Sequence, residues 1–153
     1  VPREVLSTKI DAPCDTVFNL LHDYNRRLEW DSMLSEARLL AGATAAGYGV
    51  RSLCVGTWQS AFLALETRYI RFEPGRVAAV TLTIRPPFFE RFAATIRHDA
   101  VGEAQSRITY IYSFRARPRF LAFLLEPIMN AMLKREVRNR LRSLCRFIAP
   151  SAV

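Results

Sequence analysis

The chain has 153 residues, half of them apolar, and 22 basic side chains against 14 acidic ones give a formal charge of +8. That suits one hydrophobic core in a single domain spanning 1–153, and the charge favours anionic partners. Three widely spaced cysteines, Cys14, Cys54 and Cys145, argue against a disulfide framework or zinc site, and the longest apolar run, 120–125, falls far short of the ~20 residues of a membrane span.

In chain order, residues 3–11 alternate loosely and predict a strand leading into Pro13, a favoured first helical residue. Cys14, Val17, Phe18 and Leu21 then recur at helical spacing, with Asp15 in the first turn where the helix dipole favours a negative charge. His22, which is expected to cap that helix, Asp23 and Asn25 interrupt the pattern. Residues 24–33 read as a second short helix with Leu28 and Trp30 inward and Arg26 and Arg27 near a rim. From Leu34 to Ala116, β-branched and aromatic runs are separated by turn signals, the strongest being "FEPGRV" at 72–77, where Pro74-Gly75 suits the centre of a type II turn. Six strands follow, near 34–41, 48–56, 60–73, 76–85, 88–99 and 104–116, pairing most simply as an antiparallel meander. Residues 119–149 predict a helix with an apolar face of Leu133, Val137, Leu141, Leu144 and Ile148. A basic face opposite carries Lys134, Arg135, Arg138, Arg140, Arg142 and Arg146, and Pro127 either sits in the first turn or kinks the helix.

That order, together with "IDAPCDTVFNLLHDYNRRLEWDSMLSEARLL" at 10–40, the 72–77 turn and "MNAMLKREVRNRLRSLCRFI" at 129–148, resembles the START-like superfamily, in particular its polyketide cyclase/dehydrase and lipid-transport branch. The resemblance implies an α+β helix-grip fold: about seven curved antiparallel strands wrapped around a long C-terminal helix, with two short helices after the first strand. It also implies a deep, mostly apolar cavity between sheet and helix.

Period-two alternation predicts which side chains face that cavity, although a bulge inverts the register. On the last strand the inward set is Tyr110, Tyr112 and Phe114; on 88–99 it includes Phe92 and Ile96; on 76–85 it includes Leu82 and Ile84. On 60–73, Ile70 and Phe72 share a face with Glu66 and Arg68. An inward apolar half therefore brings two charges that must satisfy one another, or else a bulge turns them outward. The first half of the last helix is apolar on nearly every side. Leu125, Met129 and Met132 are expected at the cavity wall, and the surplus either covers the mouth or faces a membrane or second subunit.

No nucleophile elbow, metalloprotease motif or glycine-rich phosphate loop is present. Glu66, Arg68, His98 and Tyr110 are the only candidates for acid/base work, and neither cofactor nor metal is expected. The reading favoured by these residues is binding or transport of a hydrophobic or amphipathic small molecule: lipid, isoprenoid, polyketide or aromatic. A cyclase- or aromatase-like enzyme in the same cavity is one alternative. A basic binder of RNA, ribosome or anionic membrane is the other, although no nucleic-acid motif supports the first two of those. The location expected is cytoplasmic, with contact to an anionic membrane surface as a further option.

Overall fold

Alternating apolar and polar residues place one face of each strand on the core, and the turns between them are short enough to keep neighbours adjacent. The computed structural model describes residues 2–56 and 64–148. Seven strands, β1 (Arg3–Ile10), β2 (Leu34–Leu39), β3 (Arg51–Gly56), β4 (Ala64–Glu73), β5 (Val77–Leu82), β6 (Phe89–Gly102) and β7 (Gln105–Ala116), form one curved antiparallel sheet. Its order is β1-β7-β6-β5-β4-β3-β2, a meander from β2 to β7 closed at one edge by β1. Residues 60–63 of the expected fourth strand lie outside the described residues.

Helices α1 (Cys14–Leu21) and α2 (Arg27–Trp30) follow β1, and α3 (Ala122–Ile148) follows a 3₁₀ turn at Arg119–Leu121. The 27 residues of α3 span about 40 Å. Met129, Leu133, Val137, Leu141 and Leu144 bury its inner face against the main core, which includes Ile108, Phe114 and Val17. Pro13 stands at the N-cap of α1, one position earlier than expected. Pro127 lies inside α3, in its second turn, where the helix continues without the donor that would have met the Phe123 carbonyl. Leu28 is 50 % exposed and Trp30 5 %, so only the tryptophan of that expected inward pair joins the core.

The turn at 73–76 fixes how β4 and β5 meet α1. Arg76 N donates to the Glu73 carbonyl at 3.0 Å, and Gly75 has φ +76°, which is type II geometry. A Cβ at Gly75 would run into the Asp15 carboxylate at the start of α1. Gly75→Ala therefore combines backbone strain with a displaced Asp15. We expect a loss of about 1–2 kcal/mol in urea unfolding, with Gly42→Ala, at a left-handed but open position, losing less.

Candidate functional site

Two arginines and one aspartate join the short helix to the long one. Arg27 Nε and Arg140 Nε donate to the same oxygen, Asp31 Oδ2, at 2.9 and 2.8 Å, and Asp31 Oδ1 accepts from Met33 N at 3.1 Å. Arg27 also donates to the Leu21 carbonyl at 3.2 Å and packs its guanidinium over the Trp30 ring at 5.1 Å. All three charged groups are buried. Burial on its own would raise the Asp31 carboxyl, but Arg140 and Arg27 outweigh it and hold the group below the usual carboxylate range. Burial likewise works against the Arg140 cation, and Asp31 more than restores it.

Both arginines line a partly open cavity of about 100 Å³ between the sheet and α3. Leu65, Val80, Phe92, Ile96, Leu133 and Val137 are among its apolar walls; Tyr24, Ser52, Thr67, Tyr69, Tyr110 and Glu136 add polar groups. The polar groups form chains. His22 Nδ1 lies 2.7 Å from the Tyr69 hydroxyl, which lies 3.0 Å from that of Tyr24, and Ser52 and Thr67 share a hydrogen bond at 3.1 Å. His22 Nε2 and Glu136 Oε1 are buried with no hydrogen-bond partner among the described residues. Burial, with Arg27 and His98 adding to it, pushes His22 down to about 3, and burial raises both Tyr24 and Tyr69. At neutral pH the chain is therefore uncharged. A second, open depression of about 730 Å³ lies between the end of α1 and the β2–β3 connection, and His22 and Tyr24 line both it and the cavity.

Of the side chains expected at the cavity, Phe92, Ile96, Tyr110 and Tyr112 line it. Tyr112 spends its hydroxyl on Asn130 Oδ1 at 2.8 Å, and Asn130 in turn donates to Glu4 at 2.9 Å, tying β7, α3 and β1 together. Phe114 and Met129 are buried in the core, and Leu82, Leu125 and Met132 pack partly buried against it. The bulge expected as the alternative on β4 is present, and it corrects Ile70 and Phe72 as cavity residues and Glu66 and Arg68 as acid/base candidates. The β4–β5 register slips between Tyr69 and Arg71, so Leu65, Thr67 and Tyr69 face the cavity while Ile70 is 50 % exposed. Phe72 then turns inward beneath α1, with its ring 5.2 Å from that of Phe18. Glu66 and Arg68 consequently stand outside the cavity: Glu66 pairs with Arg51 at 3.6 Å and Arg68 is exposed. Ile84 is 45 % exposed because β5 ends at Leu82, ahead of Pro86 and Pro87. His98 is buried on β6 against Phe18 and away from the cavity, with both ring nitrogens unpartnered among the described residues.

Arg27, Asp31, Arg140, Tyr24, Tyr69 and His22 were not among the expected site residues. Arg140 was assigned to the basic face, and Arg27 to a rim. The signal was present for Arg140, which falls three residues after Val137 and four before Leu144, on the inward stripe of α3. His22 does end α1 as its C-cap, but its ring reaches Tyr69.

The sequence profile of the polyketide cyclase/dehydrase and lipid transport family matches residues 4–146. The chain belongs to that family. Solved structures share its fold at low identity. The Zhui aromatase/cyclase from a Streptomyces species superposes with a TM-score of 0.78 at 14% identity, over 99% of this chain and 96% of that one. A START superfamily protein from Mycobacterium smegmatis gives 0.72 at 9%, over 94% and 97%. The di-domain ARO/CYC protein BexL gives 0.73 at 15%, and there the family member described here covers 95% of itself but spans only 46% of that chain. No curated protein matches it by sequence. The aligned fold in all three is the helix-grip arrangement of curved sheet and long helix. Among the described residues no group of three His, Cys, Asp or Glu side chains is placed to hold a metal ion.

Removing the carboxylate that two buried guanidiniums share strands both charges. Asp31→Ala is expected to lose about 3–5 kcal/mol in urea unfolding at neutral pH, far more than Glu29→Ala at the exposed end of the same helix. The buried histidines set a separate pH dependence. Burial pushes His22 to about 3 and His98 to about 4, so between these values and about 6.5 the unfolded chain binds protons that the folded chain refuses. Stability is full well above about pH 6.5 and declines as the pH falls through that window. The urea midpoint should drop between about pH 7 and 5, and His98→Leu should remove about half of the slope. A midpoint flat over this range would contradict the burial of both rings.

Proposed function

We infer that this chain binds a small amphipathic molecule in the cavity, with an apolar body against Val80, Phe92, Ile96 and Leu133 and an oxygen-bearing end at Tyr24, Tyr69, Arg27 and Arg140. The observation that carries this is the electrostatic character of the lining. Hydroxyls with raised pKa values and guanidiniums fixed on Asp31 are good stationary donors to a carbonyl, phenol or carboxylate oxygen. They are poor proton carriers. A general acid or base works best with a pKa near the operating pH, and His22 at about 3 is far below it. Lining of this kind favours a carrier or sensor of aromatic, polyketide-like, isoprenoid or lipid molecules over a catalyst.

Size supports a particular route. At about 100 Å³ the cavity is smaller than the 300 Å³ or so at which drug-sized pockets begin. Rotation of Tyr24 away from Tyr69 would join it to the open depression on the other side of the same side chain. A larger guest would then sit across both. The second reading is an aromatase/cyclase, and it draws on the Tyr24–Tyr69–His22 chain, which could relay a proton, and on the arginines, which could stabilise an enolate oxygen. A cytoplasmic location fits three free cysteines.

Native mass spectrometry of the protein as purified, followed by solvent extraction, should release an amphipathic molecule. Calorimetric titration with 2-naphthoate and with 2-naphthylmethanol should give saturable binding, tighter for the carboxylate. Tyr69→Phe should weaken it by about tenfold, the equivalent of one lost hydrogen bond. A protein that is empty on purification and takes up neither naphthalene would end the binding reading. Turnover of an added poly-β-ketone substrate, lost in Tyr69→Phe at unchanged affinity, would replace it with the cyclase reading.

A further inference from the structure

The outer face of α3 changes character along its length. Its beginning and the 3₁₀ turn before it present Phe120, Phe123, Leu124 and Ile128, which are 75, 78, 55 and 57 % exposed. Farther along, the exposed positions are mostly basic, Arg135, Arg138, Arg142 and Arg146, with Phe147 37 % exposed near the end. Beside the apolar end lies the β5–β6 turn, where Arg117 N donates to the Phe88 carbonyl at 2.9 Å. Phe88 is 49 % exposed and has φ +71°, a left-handed backbone that an aromatic residue adopts only under constraint. Single exposed apolar side chains, such as Val5 or Tyr48 here, are ordinary on a protein surface; five together on two adjoining segments are not.

Basic groups rim this patch. Arg117 donates through Nη2 to the carbonyls of Arg85 and Pro86 at 2.8 and 3.2 Å, which holds its charge beside the turn, and Arg119 is exposed within the 3₁₀ turn. The nearby carboxylates are engaged elsewhere: Glu126 accepts from Ala116 N at 3.0 Å, and Glu90 pairs with Arg85 at 3.4 Å. We propose that this end of the molecule docks on the surface of an anionic lipid bilayer, with Phe88, Phe120, Phe123 and Leu124 entering the boundary between headgroups and acyl chains while Arg117 and Arg119 meet lipid phosphates. A second copy of the chain fits the patch less well. A two-fold contact would set the same arginines against one another, whereas an anionic surface reverses the sign of that interaction. No described helix is long and apolar enough to cross a membrane, so the attachment is from one side. It does not depend on what fills the cavity.

Co-sedimentation with vesicles tests this. The protein should bind vesicles of equal parts phosphatidylglycerol and phosphatidylcholine at least tenfold more tightly than pure phosphatidylcholine, and high salt should weaken that binding. The surface variant F120S/F123S should keep its fold by circular dichroism and lose vesicle binding tenfold or more. Arg119→Glu should lower binding several-fold and keeps the test decisive should the double variant fail to fold. Absence of binding to the anionic vesicles, or binding that both variants retain in full, would overturn the proposal. So would a concentration-dependent dimer that Phe120→Ser and Phe123→Ser abolish in a protein that ignores vesicles.

Discussion

One oxygen of Asp31 holds two arginines from different parts of the chain, and the arrangement of helices around the sheet depends on that contact. A helix of four residues has no stability of its own, since it scarcely exceeds the nucleus whose formation is unfavourable. What fixes α2 is Trp30 in the core, Arg27 bonded to Asp31 and to the end of α1, and Asp31 bonded across to α3. Two cations on one anion would leave a surplus charge in a low-dielectric interior, which is costly. Glu136, one turn before Arg140 and on the same cavity wall, supplies the fourth charge, and Coulomb attraction between those two helps to keep Arg140 protonated.

The consequence for the site is that its polar groups are also structural groups. Arg27 and Arg140 cannot follow a guest without releasing Asp31, so they act as a rigid donor end, and recognition there has a small entropic cost. Adaptability must come from elsewhere. Tyr24 is the candidate, because it lines both the cavity and the open depression, and its hydroxyl meets the neighbouring hydroxyls of Tyr69 and Ser52 and no charged group. A rigid polar end with a movable aromatic wall suits selection by the ligand's oxygen position more than by the length of its apolar body.

Much of the fold was legible because local signals agreed with one another. The 72–77 turn, the alternation on β6 and β7, and the helical stripe from Leu133 to Leu144 each appear in the structure where the residues put them. The α+β helix-grip architecture is what their order, through its resemblance to the START-like superfamily, implies. The site was less legible. A single extra residue at Ile70 exchanged the faces of β4, and alternation alone cannot say where a strand bulges. It moved Glu66, Arg68 and Ile70 out and brought in Tyr69, the centre of the hydroxyl chain. Arg140 was hidden differently: among six basic residues a solvated face is the ordinary reading, and the partner that justifies its burial lies 109 residues away. Spacing marks such a residue as inward, but only the three-dimensional fold shows that a carboxylate is waiting.

An apolar half-helix admits two explanations, and α3 uses both on different faces. Met129 and Leu133 enter the core, with Leu125 and Met132 flanking them, which accounts for one side and the edges. Nothing among the described residues covers Phe120 in the 3₁₀ turn or Phe123, Leu124 and Ile128 in α3, each more than half exposed. The same helix thus packs its inner face on the core and leaves an apolar outer face exposed near its start.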